Sequence, residues 1–434
     1  MSSDNFVTSA FGRFVKVGGL VGRVGVSMLG QQAVGLLRDG PTQQLKKAEN
    51  AARNALRIVD TLGEMKGAAM KVGQMISLHE GLLPPEVSAI LGKLQKEAPS
   101  VSFEVMEREL RRELEDFDTL FESLEPEAFA AASIGQVHRG VLKDGREVAV
   151  KIQYPHADKM IEADLKNLKT LLGNLVGLFT DIDFEPIWEE VKERLYEEID
   201  YLNEAENIRR TAAMNADIPE IVVPDVVAEA TTRRVLTMEF LDGIPPDEAV
   251  SDRFPQHLKD EWGVTLFEFT VRGLLEHRFL HADPNFANFG FHEDGHVFVY
   301  DYGCMKEVPA DLAAGYSRLI DAVLSHQKTA IPGILRDMGL FMEGGAPLPR
   351  DMIDPYVDLA QDIVRASPPY TFGENDSIYE TLYELGMSNL QYGTDIRFPS
   401  DVVFINRTLG GLFGNLCKLG ATGQWRKLLR NYTG

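Results

Sequence analysis

Residues 281–303 read HADPNFANFGFHEDGHVFVYDYG, and the rest of the chain is read outward from this stretch. Asp283 is followed five positions later by Asn288, and Asp301 closes the apolar run Val297–Tyr300 with Tyr302 and Gly303 behind it. Phe289–Phe291 and His296–Tyr300 flank Asp294-Gly295, a dipeptide that favours a tight hairpin because glycine adopts positive φ without steric cost. The pattern predicts a polar loop, a short hairpin and a strand end bearing a carboxylate. Two carboxylates and a carboxamide at these intervals supply hard oxygen donors, the kind that Mg²⁺ prefers beside phosphates.

Phosphoryl transfer also needs a cation on the phosphates and an orienting group near the acceptor. Upstream, Gly135–Leu142 and Arg146–Gln153 are β-type runs joined by Asp144-Gly145. The second carries Val148-Ala149-Val150-Lys151, and strand alternation places Lys151 on the face opposite Val148 and Val150. Lys151, Asp283-x4-Asn288 and Asp301-Tyr-Gly, in this order, match the parts of a protein-kinase catalytic site. A carboxylate to hold Lys151 is sought in the acidic run Glu193, Glu197, Glu198, Asp200, Glu204 and Glu206. Asp200 and Glu204 are one turn apart and so share a helical face.

A chain of 434 residues with 44% hydrophobic content can bury two or three domains' worth of core. Its formal net charge of −22 argues against a nucleic-acid partner, which needs a basic surface. Cys304 and Cys417 form no metal-ligand spacing, and such sparse thiols suit a reducing compartment such as the cytoplasm. Residues 1–40 form a glycine-rich leader in which Arg13, Lys16 and Arg23 interrupt the apolar run. It reads as a flexible segment or as one that touches a membrane surface or partner peripherally. Residues 41–120 form a helical extension, with helices over Gln43–Leu78, Pro85–Gln95 and Phe103–Leu114. Residues 121–242 form a small β-rich lobe with helices near 157–179 and 186–211 and strands near Ile221–Val227 and Arg234–Phe240. Residues 243–434 form a helical lobe. The expected fold is α+β and bilobed, kinase-like, with a helical N-terminal extension.

With these motifs the chain resembles the UbiB/AarF family of atypical kinase-like proteins, including the coenzyme Q biosynthesis ATPases. Lys71-Val72-Gly73-Gln74 resembles the family's Lys-x-Gly-Gln motif. Ala130-Ala131-Ala132-Ser133 opens a segment similar to the alanine-rich loop that replaces the usual glycine-rich one. Glu198-Ile199-Asp200 matches its Glu-x-Asp motif, and Glu204 falls where the family has the lysine-pairing glutamate. The catalytic loop departs from the His-Pro-Gly form of many members, and Tyr302 stands in place of Phe.

The resemblance implies an Mg²⁺-dependent ATP-binding protein, an atypical kinase or ATPase, that supports ubiquinone or lipid metabolism. In it Lys151 orients phosphates, Glu204 holds Lys151, Asn288 and Asp301 ligate Mg²⁺, and Asp283 positions water or another acceptor. Lys71 and Gln74 would dock on Glu198 and Asp200 as a regulatory cover. By analogy with kinase hinges, Met238 would gate the adenine pocket and the backbone of Glu239 and Leu241 would meet the adenine edge. A lipid or quinone precursor is the expected further partner, for a cytoplasmic protein with peripheral membrane contact. The competing expectation is an ATP-sensing scaffold that binds lipid or biosynthetic partners without significant turnover.

Overall fold

Helix α1 (Phe103–Glu113) buries Met106 and Leu110 on one stripe and exposes its charged residues. A computed structural model describes it together with residues 72, 76, 101–132, 134–155, 157–177, 184–342, 344–365, 367–374, 381, 396–397 and 399–433. Val72 and Ile76, four positions apart, are helical and buried. The glycine-rich leader, Lys71, Gln74, Ser133 and the helices expected elsewhere before residue 100 lie outside the described residues. The chain divides into two compact units, Met1–Leu202 with Ala228–Thr237, and Asn203–Val227 with Met238–Gly434.

The first unit is built on β1 (Phe121–Ala132), β2 (Gly135–Leu142) and β3 (Glu147–Gln153), paired antiparallel in that order. The Asp144-Gly145 turn forms as expected. Gly145 takes φ +89° and its N–H donates to the Leu142 carbonyl at 2.9 Å. Gly135 has a different reason: a Cβ there would lie 2.2 Å from the backbone oxygen of Ile152, so β2 and β3 could not approach. Helices α2 (Ala157–Val176) and α3 (Glu185–Glu198) follow.

Sequence reasoning ran one helix from 186 to 211. Instead α3 stops at Glu198 and α4 (Tyr201–Met214) begins three residues later. Asp200 lies between them, where its carboxylate accepts the N–H of Leu202 at 3.2 Å. This is the helix-start chemistry that aspartate favours. Asp200 and Glu204 therefore do not share a helical face.

Strands β4 (Ile221–Val222) and β5 (Val235–Glu239) also separate. β5 extends the sheet beside β3, whereas β4 pairs in parallel with residues 297–298 of the second unit. The run Ile221–Val227 therefore contributes two strand residues to a different sheet from the one expected, and an isolated antiparallel bridge, Val226 with Met238, to β5.

The second unit is organised round α5 (Gln256–Leu275), buried on most of its circumference. Arg272 forks onto both oxygens of Asp217 at 3.0 Å, tying α5 to the chain just beyond α4. Short strands β6 (Phe279–His281), β7 (Phe289–Phe291), β8 (Val297–Val299) and β9 (Met305–Glu307) pair as β6–β9 and β4–β8–β7. Helices α6 (Ala310–Leu324), α7 (Arg350–Ile363), α8 (Ser400–Leu419) and α9 (Trp425–Arg430) complete it. Trp425 packs its ring on Phe267 and Phe372, centroids 5.0 and 5.2 Å away. Among the described residues no helix is long and apolar enough to cross a membrane.

Candidate functional site

Two strand pairs close the loops that carry the expected metal ligands. In β6–β9, His281 stands opposite Met305, and the Ala282 N–H donates to the Cys304 carbonyl at 2.8 Å. In β7–β8, Phe289 stands opposite Val299, and the Tyr300 N–H donates to the Asn288 carbonyl at 2.9 Å. Residues 283–288 and 301–303 are thereby held at neighbouring ends of two ladders. His281 adds a direct tie, its Nε2 donating to the Asp301 carbonyl at 2.7 Å. A carbonyl only accepts, so this bond places the proton of a neutral ring on Nε2.

Within these loops each functional side chain is oriented by nearby backbone. Asp283 Oδ1 accepts the Asn285 N–H at 3.3 Å, and Asn285 Oδ1 accepts the Ala287 N–H at 3.2 Å. Asn288 donates its side-chain N–H to the Asp283 carbonyl at 3.2 Å. That bond uses the nitrogen end of the amide and leaves the oxygen end, which a hard cation takes. Asp301 Oδ1 accepts the Gly303 N–H at 2.9 Å, shaping the Asp-Tyr-Gly turn.

The loops rest on helices on both sides. Glu204, buried at 2% exposure, accepts the Tyr302 N–H at 3.4 Å. Asn207, one turn further along α4, donates to the Tyr302 carbonyl at 3.0 Å. Tyr302 is fully buried, and burial, followed by the charges of Asp301 and Glu204, pushes its phenol well above the usual range. It is therefore neutral and acts by packing, edge-on to His281 at 6.2 Å. On the other side α8 seats the catalytic loop. Asn415 donates to the Pro284 carbonyl at 2.9 Å, and the Pro284 ring fills the space above Gly411. Lys418 sits 5.2 Å over the Phe286 ring.

The backbone expected to meet adenine follows buried Met238. Glu239 donates its N–H to the Asp225 carbonyl at 2.8 Å, and Leu241 offers its carbonyl to the Gly243 N–H at 3.2 Å. The Glu239 carbonyl and the Leu241 N–H, one acceptor and one donor two residues apart, are the groups expected to meet adenine.

In the first unit Lys151 is buried on β3, opposite Val137, with its ammonium 5.1 Å from the Tyr201 ring centroid. Ala130 and Ala132 belong to strand β1, where they pair with Val137 and Gly135, as Ala131 does with Gln136. The alanines are thus strand residues rather than a loop. Asp200 makes an ion pair with Arg233 at 3.2 Å. Gln153 reaches across to the Ile199 carbonyl at 2.6 Å, fixing the α3–α4 junction to the sheet. Glu198 ends α3.

Sequence reasoning missed Asn207, Tyr201, Arg233, Gly411 and Asn415. Asn207 had one signal, its position three residues after Glu204 on a helix. The others act over long sequence separations and carry no local pattern.

Comparison with known proteins gives the family. Residues 93–334 match the model of the ABC1 atypical kinase-like domain. "Atypical kinase COQ8B, mitochondrial" of Rattus norvegicus is 36% identical over 318 residues, covering 72% of this chain and 60% of that protein. "Atypical kinase coq-8, mitochondrial" of Caenorhabditis elegans is 30% identical over 391 residues, covering 87% and 51% respectively. The match thus spans about half to three-fifths of these relatives' length. A solved Rv3197–erythromycin complex from Mycobacterium tuberculosis superposes with a TM-score of 0.67 at 28% identity, covering 89% of this chain and 97% of that one. Kinase-like fold, motif order and family match converge, and the chain belongs to the UbiB/AarF family of ABC1 atypical kinase-like proteins.

Proposed function

We propose that the protein binds Mg-ATP and hydrolyses it, or transfers its terminal phosphoryl group, in support of isoprenoid-quinone or related lipid metabolism. The observation that carries this reading is the pair Asn288 and Asp301. They flank one hairpin, each oriented by a backbone bond from its own loop. A carboxylate and an amide oxygen fit a hard divalent cation, and Mg²⁺ bound there would neutralise phosphate charge. Lys151 supplies the phosphate-binding ammonium, and Glu204 is the residue to hold it. Asp283 orients the attacking water or hydroxyl. The Glu239 carbonyl and Leu241 N–H take the adenine edge. Ala130, Ala131, Ala132 and Ser133 would take the role of the phosphate-facing loop.

The quinone link comes from relatives named COQ8B and coq-8. Contact with an isoprenoid lipid or quinone precursor at a membrane surface extends it. Lys71 and Gln74 would regulate the site by docking on Glu198 and Asp200. Asp200 already holds Arg233, so that docking has to share or displace an ion pair.

Single-turnover assays at saturating Mg-ATP, with and without vesicles, test the reading. Wild type is expected to release phosphate in an Mg²⁺-dependent manner, and Asp301→Asn to lose roughly 10²–10³-fold. Equal turnover in the two proteins would remove the proposed site. Tight ATP binding without turnover in wild type would establish the scaffold reading instead.

A further inference from the structure

The closed end of the β7–β8 hairpin carries side chains that the nucleotide chemistry does not use. Residues 292–296 read His-Glu-Asp-Gly-His. His292 Nδ1 lies 2.7 Å and His296 Nδ1 2.5 Å from the same atom, Asp294 Oδ1. The three donor atoms are all within 4.8 Å of one another. Two imidazoles and one carboxylate converging from one face form the donor set of zinc and non-haem iron centres. Magnesium and calcium, which seek oxygen donors, are poor occupants of such a set.

The scaffold beneath these donors is already fixed. The His292 N–H donates to the His296 carbonyl at 3.0 Å, and the Gly295 N–H to the His292 carbonyl at 3.0 Å. Trp262 on α5 donates its indole N–H to that same His292 carbonyl at 2.9 Å. Gly295, at φ +94°, lets the chain reverse within this short span. The His292 ring stacks on Phe298 with centroids 5.9 Å apart, and the His296 N–H donates to Asp294 Oδ1 at 3.2 Å. An ion entering here replaces the two imidazole–carboxylate hydrogen bonds, with the ring protons moving to Nε2 and the donors spreading from 2.7 and 2.5 Å to the wider spacing of a coordination shell, on a turn whose backbone is already fixed.

Without an ion the same geometry is a pair of imidazole–carboxylate hydrogen bonds on a largely exposed turn. Such exposed pairs contribute little to stability. We propose that the turn binds one divalent transition-metal ion of the zinc class, with His292 and His296 each giving Nδ1, Asp294 giving an oxygen, and solvent completing the coordination. The ion clips the closed end of the hairpin whose other end bears Asn288 and Asp301. No element of the proposal depends on nucleotide binding.

The test uses the full chain without an affinity tag, titrated with Co²⁺ as the spectroscopic probe and with Zn²⁺ as competitor, in excess Mg²⁺. One Co²⁺ per chain is expected, with visible ligand-field bands that Zn²⁺ abolishes. The double variant His292→Ala/His296→Ala should weaken binding at least about tenfold, the scale on which ligand shells alter metal affinity. Asp301→Asn should bind Co²⁺ as wild type does, which separates this site from the nucleotide site. Asp294→Asn keeps the size of the side chain and tests the site should the double variant melt early. Binding that neither turn variant alters, or no binding at millimolar metal, would overturn the proposal.

Discussion

Asn207 donates its side-chain amide to the backbone carbonyl of Tyr302 at 3.0 Å. Together with Glu204, which accepts the N–H of the same residue, it grips both peptide groups round Tyr302. The orientation of α4 and the orientation of the Asp-Tyr-Gly turn are therefore one structural variable. Asn207→Ala should cost about 1 kcal/mol of stability, the usual net value of such a bond. It should lower ATP turnover by about fivefold through the displaced Asp301, since about 1 kcal/mol of lost transition-state stabilisation corresponds to that change in rate. Steady-state phosphate release and urea unfolding of the same preparation check both figures, and unchanged turnover would uncouple helix from turn.

Adjacent glycines on α8 offer a controlled comparison. A Cβ on Gly411 would sit 2.3 Å from Pro284 Cγ, whereas one on Gly410 meets nothing within 4 Å. Gly411→Ala is expected to destabilise by about 1–3 kcal/mol, as overpacking does, and to reduce turnover because Pro284 is next to Asp283. Gly410→Ala should instead be neutral or stabilise by up to about 1 kcal/mol, since alanine is the better helix former. Opposite signs in thermal melts are the expected result.

Lys151→Met removes the buried ammonium and keeps an unbranched stem against the Tyr201 ring. Turnover should fall on the order of 10²-fold, as for loss of one electrostatic contact to the reacting group. Melting temperature should fall, because the buried Glu204 carboxylate loses the ammonium proposed to pair with it. Turnover assays and calorimetry on one sample distinguish this outcome from general unfolding.

His138 gives a pH signature. It is fully buried on β2, with Nδ1 2.9 Å from the Glu125 carbonyl, and burial lowers its pKa below the ordinary 6.5. The unfolded chain therefore takes up its proton at higher pH than the folded one. Stability is full above the unfolded pKa and declines as pH falls through 6.5 toward the folded value. The slope approaches but does not exceed about 1.4 kcal/mol per pH unit for this single group. Urea midpoints of wild type and His138→Gln between pH 7.5 and pH 5, roughly the interval above carboxylate titration, should diverge as acid is added, with wild type losing more.

Much of this architecture was legible because its signals are local. The Asp144-Gly145 and Asp294-Gly295 turns set two hairpins, and the positions of Lys151, Asp283, Asn288 and Asp301 then assigned the kinase-like parts. The α3–α4 break was missed because no proline or glycine marks it. Its physical cause is Asp200 capping the helix that follows, a role indistinguishable by composition from a place on an acidic helix face. Ile221–Val222 found a partner 76 residues downstream (221 against 297), which a strand-like pattern alone does not specify. Asn207 and Asn415 bind backbone carbonyls 95 and 131 residues away in sequence, and Gly411 makes room for the Pro284 ring, so their roles exist only after folding. Ala130–Ala132 were taken for a loop because the comparison was with glycine-rich loops, whereas alternating pairing with β2 keeps them extended.

Tyr300 fits its hydroxyl over Gly290 and Gly243, where any Cβ would lie within 2.2 Å of it. Its phenol, pushed up to about 12 chiefly by burial, stays neutral throughout the physiological range. That lock fixes the stagger of a ladder only three residues long, whose open end carries Asn288 and Asp301. Insertion of a single residue anywhere from 289 to 300 would have to be absorbed by the turn, or else the amide and the carboxylate would face different directions. The residue count from 289 to 300 thus acts as the ruler of the proposed site.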